Sequence, residues 1–172
     1  MSASAPKVHI VFGPLGAGKS THARQLSIAE KATCFSIDNW MVDLFAPDSP
    51  VPLDLPWIME RVKRCEHRIW LTARDVVKNG GNVVLDLGFM KAANRREFLN
   101  LAHREDLQTQ LHFITASRET RRTRVMARNK SKGATFAMEI SASMFDFMDT
   151  QFEAATRDEL IASLVVDTDT SH

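Results

Sequence analysis

Residues 13 to 20, Gly-Pro-Leu-Gly-Ala-Gly-Lys-Ser, put three glycines, a lysine and a hydroxyl in one short stretch. That composition suits a phosphate cradle. Glycines let successive backbone amides turn toward phosphate oxygens, the lysine reaches the β- and γ-phosphates, and the serine hydroxyl binds Mg²⁺. The cradle set is therefore Gly13, Pro14, Leu15, Gly16, Ala17, Gly18, Lys19 and Ser20, followed by Thr21, which either packs at a helix N-terminus or touches an α-phosphate. Asp86 closes the apolar run VVLDL; it fits a metal partner for Ser20, or the cap of the next turn. Arg121, Arg124 and Arg128 recur at intervals of three and four, so they share a helix face. Such a face serves a triphosphate, lies in solvent, or meets a polynucleotide.

The elements around these residues follow from hydrophobic patterning. Val8 to Phe12 is a short apolar run ending at Gly13, as a buried parallel strand does, and Lys19 to Glu30 reads as the helix after it. A second strand spans Thr33 to Ile37, and Asp38 fits the N-cap of a short helix through Phe45. Four of the six prolines fall between Pro47 and Pro56, which predicts a surface excursion. Trp57 to Lys78 carries one apolar stripe and stops at Asn79-Gly80-Gly81, the pattern of a long amphipathic helix. Residues 83 to 87 form the third strand, Ala93 to Arg104 a helix, Leu111 to Thr115 the fourth strand and Arg118 to Arg128 another helix. NKSKGAT, residues 129 to 135, reads as a mobile loop, and LVVD, residues 164 to 167, as a last strand. Strands alternating with helices predict an α/β fold: a parallel sheet covered on both faces, with ligands at the carboxyl ends of the strands.

With the cradle, Asp38 behind the second strand, Asp86 behind the third and an arginine-rich helix, the chain resembles the P-loop kinases that include polynucleotide 5′-kinases, zeta toxins and chloramphenicol phosphotransferase. The resemblance covers most of the chain by order of elements, and the cradle is its specific motif. It implies a three-layer P-loop NTPase fold whose five-stranded parallel sheet runs in the order 2-3-1-4-5. It also implies ATP and Mg²⁺ as cofactors, Lys19 as a catalytic residue, and Asp38 in FSIDNW as the base toward an accepting hydroxyl. Arg121, Arg124 and Arg128 then resemble the lid arginines that stabilise charge on the transferred phosphoryl group. The lid corresponds to about residues 129 to 137 and the substrate-specific excursion to about residues 39 to 60, within a single domain of residues 1 to 172.

The acceptor side is read from composition. Trp40, Met41, Phe45 and Trp57 bracket the proline-rich excursion and either stack on a substrate or pack on the core. Asp43, Asp48 and Asp54 in the same region favour a neutral or cationic small molecule with a hydroxyl group over a polynucleotide. One of the guanidinium groups in Asn94-Arg95-Arg96 either reaches the acceptor or lies at the surface. Phe152-Glu153 and Glu159 match a C-terminal segment of related kinases in residue type and receive no role.

A net charge of +1, with 44% hydrophobic and 25% charged residues, disfavours disorder and bulk coating of nucleic acid. Cys34 and Cys65 alone argue against a disulfide framework and read as two buried free thiols, and no histidine pair has metal-site spacing. The leader MSASAPK lacks an apolar core and no run approaches a membrane span, so a cytoplasmic protein without membrane contact is expected. The favoured function is an ATP-dependent small-molecule kinase. A polynucleotide or nucleotide-sugar kinase, and an NTPase or regulatory module without transfer, remain as alternatives.

Overall fold

A computed structural model describes residues 5–52, 54–131 and 139–169. Five strands form one parallel sheet in the order β2-β3-β1-β4-β5: β1 (Lys7–Phe12), β2 (Ala32–Ser36), β3 (Asn82–Asp86), β4 (Gln108–Thr115) and β5 (Ser163–Asp167). The helices are α1 (Lys19–Ala29), α2 (Ile37–Phe45), α3 (Leu55–Lys78), α4 (Ala92–Arg104), α5 (Arg118–Ser131), α6 (Ala142–Gln151) and α7 (Arg157–Ala162). The predicted α/β class, strand number and strand order all match. Among the described residues no helix is long and apolar enough to cross a membrane.

The central strand β1 shows how the layers are built. Val8, Ile10 and Phe12 point to the face covered by α3 and α4, where they meet Ile69, Ala73, Leu85 and Phe98. Val11 points the other way, with Ala23, Val84 and Ile114 under α1. This alternation is the period-two geometry of a strand buried on both faces. β1 lies between β3 and β4, so the chain leaves it at the topological switch, where a parallel sheet opens a crevice beyond its carboxyl edge.

Some local expectations shift. Asp38 is not the cap of α2: the Ser36 hydroxyl accepts from the Asn39 amide, leaving Asp38 inside the first turn with its carboxylate free of that task. The proline-rich excursion is shorter than expected, because Asp54 caps α3 and Pro56 sits in its first turn, where a missing amide hydrogen costs nothing. α5 runs on through Ser131, three residues into the expected loop. Asn129 explains this, since its amide pairs with both backbone groups of Ile140, at 2.7 and 3.1 Å. The rest of the expected lid, residues 132–137, lies outside the described residues. Cys34 is exposed on the edge strand β2 rather than buried, while Cys65 is buried on the inner face of α3.

Candidate active site

The loop between β1 and α1 wraps the carboxyl end of the central strand. A Cβ on Gly13 would lie 2.0 Å from the Ile114 carbonyl oxygen, so only glycine lets β1 turn there against β4. Gly16 has φ +80 and passes under α5, where a Cβ would lie 2.6 Å from the Arg121 carbonyl oxygen. Lys19 folds back to donate to the Pro14 carbonyl at 3.0 Å. Burial pushes its ammonium below the usual lysine range, opposed first by Asp86 and then by Asp38.

Asp86, 6% exposed, ends β3 beside the loop. Burial pushes its carboxyl up; the Ser20 hydroxyl bonds to it and, with Lys19, pulls the other way, while Asp38 pushes it further up. Lys19, Asp86 and Asp38 thus share one electrostatic environment. The cavity they line measures about 540 Å³ and also takes in Gly16, Gly18, Ser20, Thr21, Arg124 and Arg128. Thr21 is solvent-exposed at its rim.

The three spaced arginines divide. Arg128 lines the cavity, and its buried Nε has no partner among the described residues. Arg124 also lines it, anchored to the Thr168 hydroxyl and carbonyl at 2.7 and 2.8 Å just beyond β5. Arg121 turns away. It is 7% exposed and donates to the Leu15 carbonyl at 3.2 Å, the Ala116 carbonyl at 3.1 Å and Asp149 at 2.6 Å. Its guanidinium fastens the loop from behind instead of facing the space in front, because Asp149 of α6 and two carbonyls draw three of its donors toward them.

Asp38 stands where this cavity meets a second one. The second measures about 1130 Å³ and lies between α2, α3 and α4; both are lined by Ile37, Asp38, Gly88 and Met90. Met41, Phe45 and Trp57 line the larger cavity, as the acceptor reading requires, but Trp40 packs edge-on against Phe35 at 6.4 Å. Asp43, Asp48 and Asp54 do not line it; its acidic groups besides Asp38 are Glu66, Glu97 and Glu105.

Sequence reasoning left Arg95 open between acceptor and surface, and the structure places it in neither. It is 0% exposed, forms a two-pronged pair with Glu159 at 2.6 and 2.9 Å, donates to the Phe89 carbonyl at 3.0 Å and lies over the Phe12 ring. Glu159 also accepts from the Thr156 amide, and Glu153 accepts from the Ala92 amide at the start of α4. The unassigned C-terminal acids therefore hold the loop of residues 87–91 that separates the two cavities.

A second buried network went unseen: His9 and His112 approach at 3.0 Å and His112 and His22 at 3.2 Å, between the sheet and α1. Each histidine comes from a different element, so no spacing in the sequence could reveal the contact. Glu66 did leave a signal, because it falls on the apolar stripe of α3 between Val62 and Ile69, where a carboxylate is out of place.

The groups present fit a nucleotide with its metal ion. Ser20 and Asp86 would offer Mg²⁺ the hydroxyl and carboxylate oxygens it takes alongside waters and phosphate, and the orphaned Arg128 Nε would offer an anion a donor.

Comparison with known proteins agrees with this fold. Solved structures of similar fold include a candidate kinase from Chloroflexus aurantiacus, with a TM-score of 0.72 at 17% identity over 98% of this chain and 88% of that one. The APS kinase CysC of Mycobacterium tuberculosis, solved with AMPPNP and APS, gives 0.63 at 15% identity over 98% and 92%. A chain of the Pnkp1/Rnl/Hen1 RNA repair complex gives 0.62 at 23% identity over 88% of this chain and 45% of that one. No curated protein sequence matches. The family model described as AAA domain matches residues 8–155, and the chain belongs to that family, with the fold of the P-loop kinases.

Proposed function

We propose that the chain is an ATP-dependent kinase that transfers the γ-phosphoryl group to a hydroxyl of a small molecule. The observation that carries this reading is the position of Asp38, at the junction of the cradle and the larger cavity. A carboxylate there meets a hydroxyl arriving from the cavity as that hydroxyl approaches the γ-phosphorus. Lys19 and the loop amides hold the phosphates, and Arg128 and Arg124 flank them with positive charge. Bound to Ser20 and Asp86, Mg²⁺ would neutralise charge on the phosphate oxygens. In the transfer the acceptor oxygen bonds to the γ-phosphorus while the bond from that phosphorus to the bridging oxygen breaks. ADP leaves, and the hydroxyl proton passes to the Asp38 carboxylate and then to solvent. The kinases among the structural neighbours support this reading.

The test pairs two variants. Lys19→Ala should abolish stabilisation of the protein by ATP, whereas Asp38→Asn should keep that stabilisation and lose transfer by a factor of about 10²–10⁴. Undiminished ATP stabilisation in Lys19→Ala removes the cradle from the mechanism. Undiminished turnover in Asp38→Asn removes the base.

A further inference from the structure

The larger cavity says what kind of molecule brings the hydroxyl. Its walls are hydrophobic side chains from every surrounding element: Met41 and Phe45 of α2, Trp57 and Trp70 of α3, Phe89 after β3 and Phe98 of α4. The rings are fixed by one another. Phe45 meets Trp57 edge-on at 6.4 Å, Trp70 meets Phe98 at 5.9 Å and Phe89 meets Phe98 at 5.2 Å. Arg61 covers a face of Trp57 at 3.7 Å, which further fixes that ring. Walls this apolar and this braced gain by excluding water against an apolar guest.

The charges in the cavity are asymmetric. Of the basic groups on the lining, Arg74 is taken by Asp75 at 2.8 Å and lies 3.9 Å from Glu105, Lys91 is within 3.6 Å of Glu153, and Lys63 and His67 stand exposed at the rim. Glu66 meets Asn94 of α4 at 3.4 Å, and neither Glu66 nor Glu97 forms an ion pair among the described residues. Burial pushes the Glu66 carboxyl up, and Glu97 adds to it against the pull of Asn94 and Lys63. A phosphate-bearing acceptor would set its charge against Asp38, Glu66 and Glu97, with Lys63 at the exposed rim as the opposing cation. A cationic nitrogen would relieve the crowding of carboxylates.

We infer that the acceptor is a phosphate-free amino alcohol with a large apolar, aromatic-sized body: the body fills the cavity, the amine faces Glu66 and Glu97, and the hydroxyl lies at Asp38. The inference rests on the kinase reading for the fate of that hydroxyl, while the binding it asserts can be read without turnover.

Two of the three tryptophans, Trp57 and Trp70, line the cavity, so ligand entry can be followed by their fluorescence. The probes are biphenylalaninol, its amine-free counterpart biphenylpropanol, and an oligonucleotide with a free terminal hydroxyl. The expected result is saturable quenching by both alcohols, with biphenylalaninol bound about tenfold tighter, as a charge-assisted contact supplies. The oligonucleotide should not compete. Glu66→Gln combined with Glu97→Gln should erase the preference for the amine while ATP stabilisation is kept. Binding of the oligonucleotide in place of the alcohols, absence of quenching by both alcohols, or an amine preference that survives the double substitution would each overturn the inference. Labelled ATP separates the two readings. Phosphoryl transfer to the oligonucleotide leaves the kinase reading standing without this acceptor class, whereas amine-selective binding without transfer to any hydroxyl leaves the cavity assignment standing without the kinase.

Discussion

Removing the Glu159 carboxylate should be among the most costly single changes in the chain. Glu159→Ala strips the buried Arg95 guanidinium of both carboxylate contacts and takes away the acid of a capping box on α7. Breaking one side of a buried ion pair costs about 3–5 kcal/mol, and losing the partner of the Thr156 amide, while Thr156 itself still caps α7, adds about 1 kcal/mol. With a urea dependence of about 2 kcal/mol per molar, the unfolding midpoint should fall by about 2 M. The assay is urea unfolding followed by tryptophan emission, since the buried Trp70 packs against Phe98 in the same core. Arg95→Met in the same chain supplies the control. If the cost comes from an unpaired buried charge, the double variant should recover about 2 kcal/mol relative to Glu159→Ala, because an apolar side chain leaves nothing unpaired. A midpoint shift under about 0.5 M for Glu159→Ala, or a double variant no more stable than the single, refutes the reasoning.

Other parts of the molecule give sharper or simpler tests. Gly13→Ala should destabilise by about 3 kcal/mol or more, because its Cβ would collide with the Ile114 carbonyl oxygen at 2.0 Å and backbone must move; a thermal melt within a degree or two of wild type would contradict this. His112 is held at about 4 against an ordinary 6.5, by burial and then by His9 and His22. The unfolded chain therefore binds the extra proton first, and stability drops as pH falls from above 6.5 toward about 4, by up to about 3 kcal/mol. His112→Gln should flatten that part of the stability profile in denaturant melts at successive pH values. Arg121→Met should weaken nucleotide binding although the side chain does not line the cradle cavity, since it releases the Leu15 carbonyl; calorimetry with an ATP analogue reads the loss. Cys34 should react with a thiol reagent in the folded protein and Cys65 should not, as mass spectrometry of the labelled chain will show.

What was legible in the sequence is what depends on near neighbours. The cradle could be read because its glycines, lysine and serine are consecutive and the turn they make is local. Asp86 could be placed because a carboxylate at the end of an apolar run must sit at the carboxyl edge of a buried strand. Arg95 could not, since in AANRREFLNLAHR it looks like any exposed helical cation, and its partner Glu159 lies 64 residues on. Arg121 shows a subtler limit. Helical spacing correctly puts it on one face with Arg124 and Arg128, but direction along that face depends on Asp149 in another helix and on two carbonyls that attract its donors inward. Spacing carries no information about such partners. The acid content of the excursion was read from composition, yet Asp54 spends its carboxylate on a helix cap, and the charges that line the cavity come from α3 and α4.

On the proposed kinase reading, the loop after β3 is what favours transfer over hydrolysis. Gly88, with φ +83, and Phe89, with φ +48, turn the chain sharply just beyond Asp86. That turn is held from below by Arg95 on the Phe89 carbonyl and from the side by the Glu153 amide on the Met90 carbonyl. Gly88 and Met90 then face both cavities at once. A hydrolase needs ordered water beside the γ-phosphorus, whereas in that reading this wall would bring apolar surface beside Asp38, the carboxylate that lines both cavities. Water against the rings of Phe45, Trp57 and Phe98, away from the carboxylates of the same cavity, is poorly held and easily displaced by an apolar guest. Occupancy by acceptor would thus remove the competing nucleophile and seat the intended one in the same event. The buried Arg95, together with Glu153, Glu159 and the tight turn at Gly88 and Phe89, keeps that wall in position.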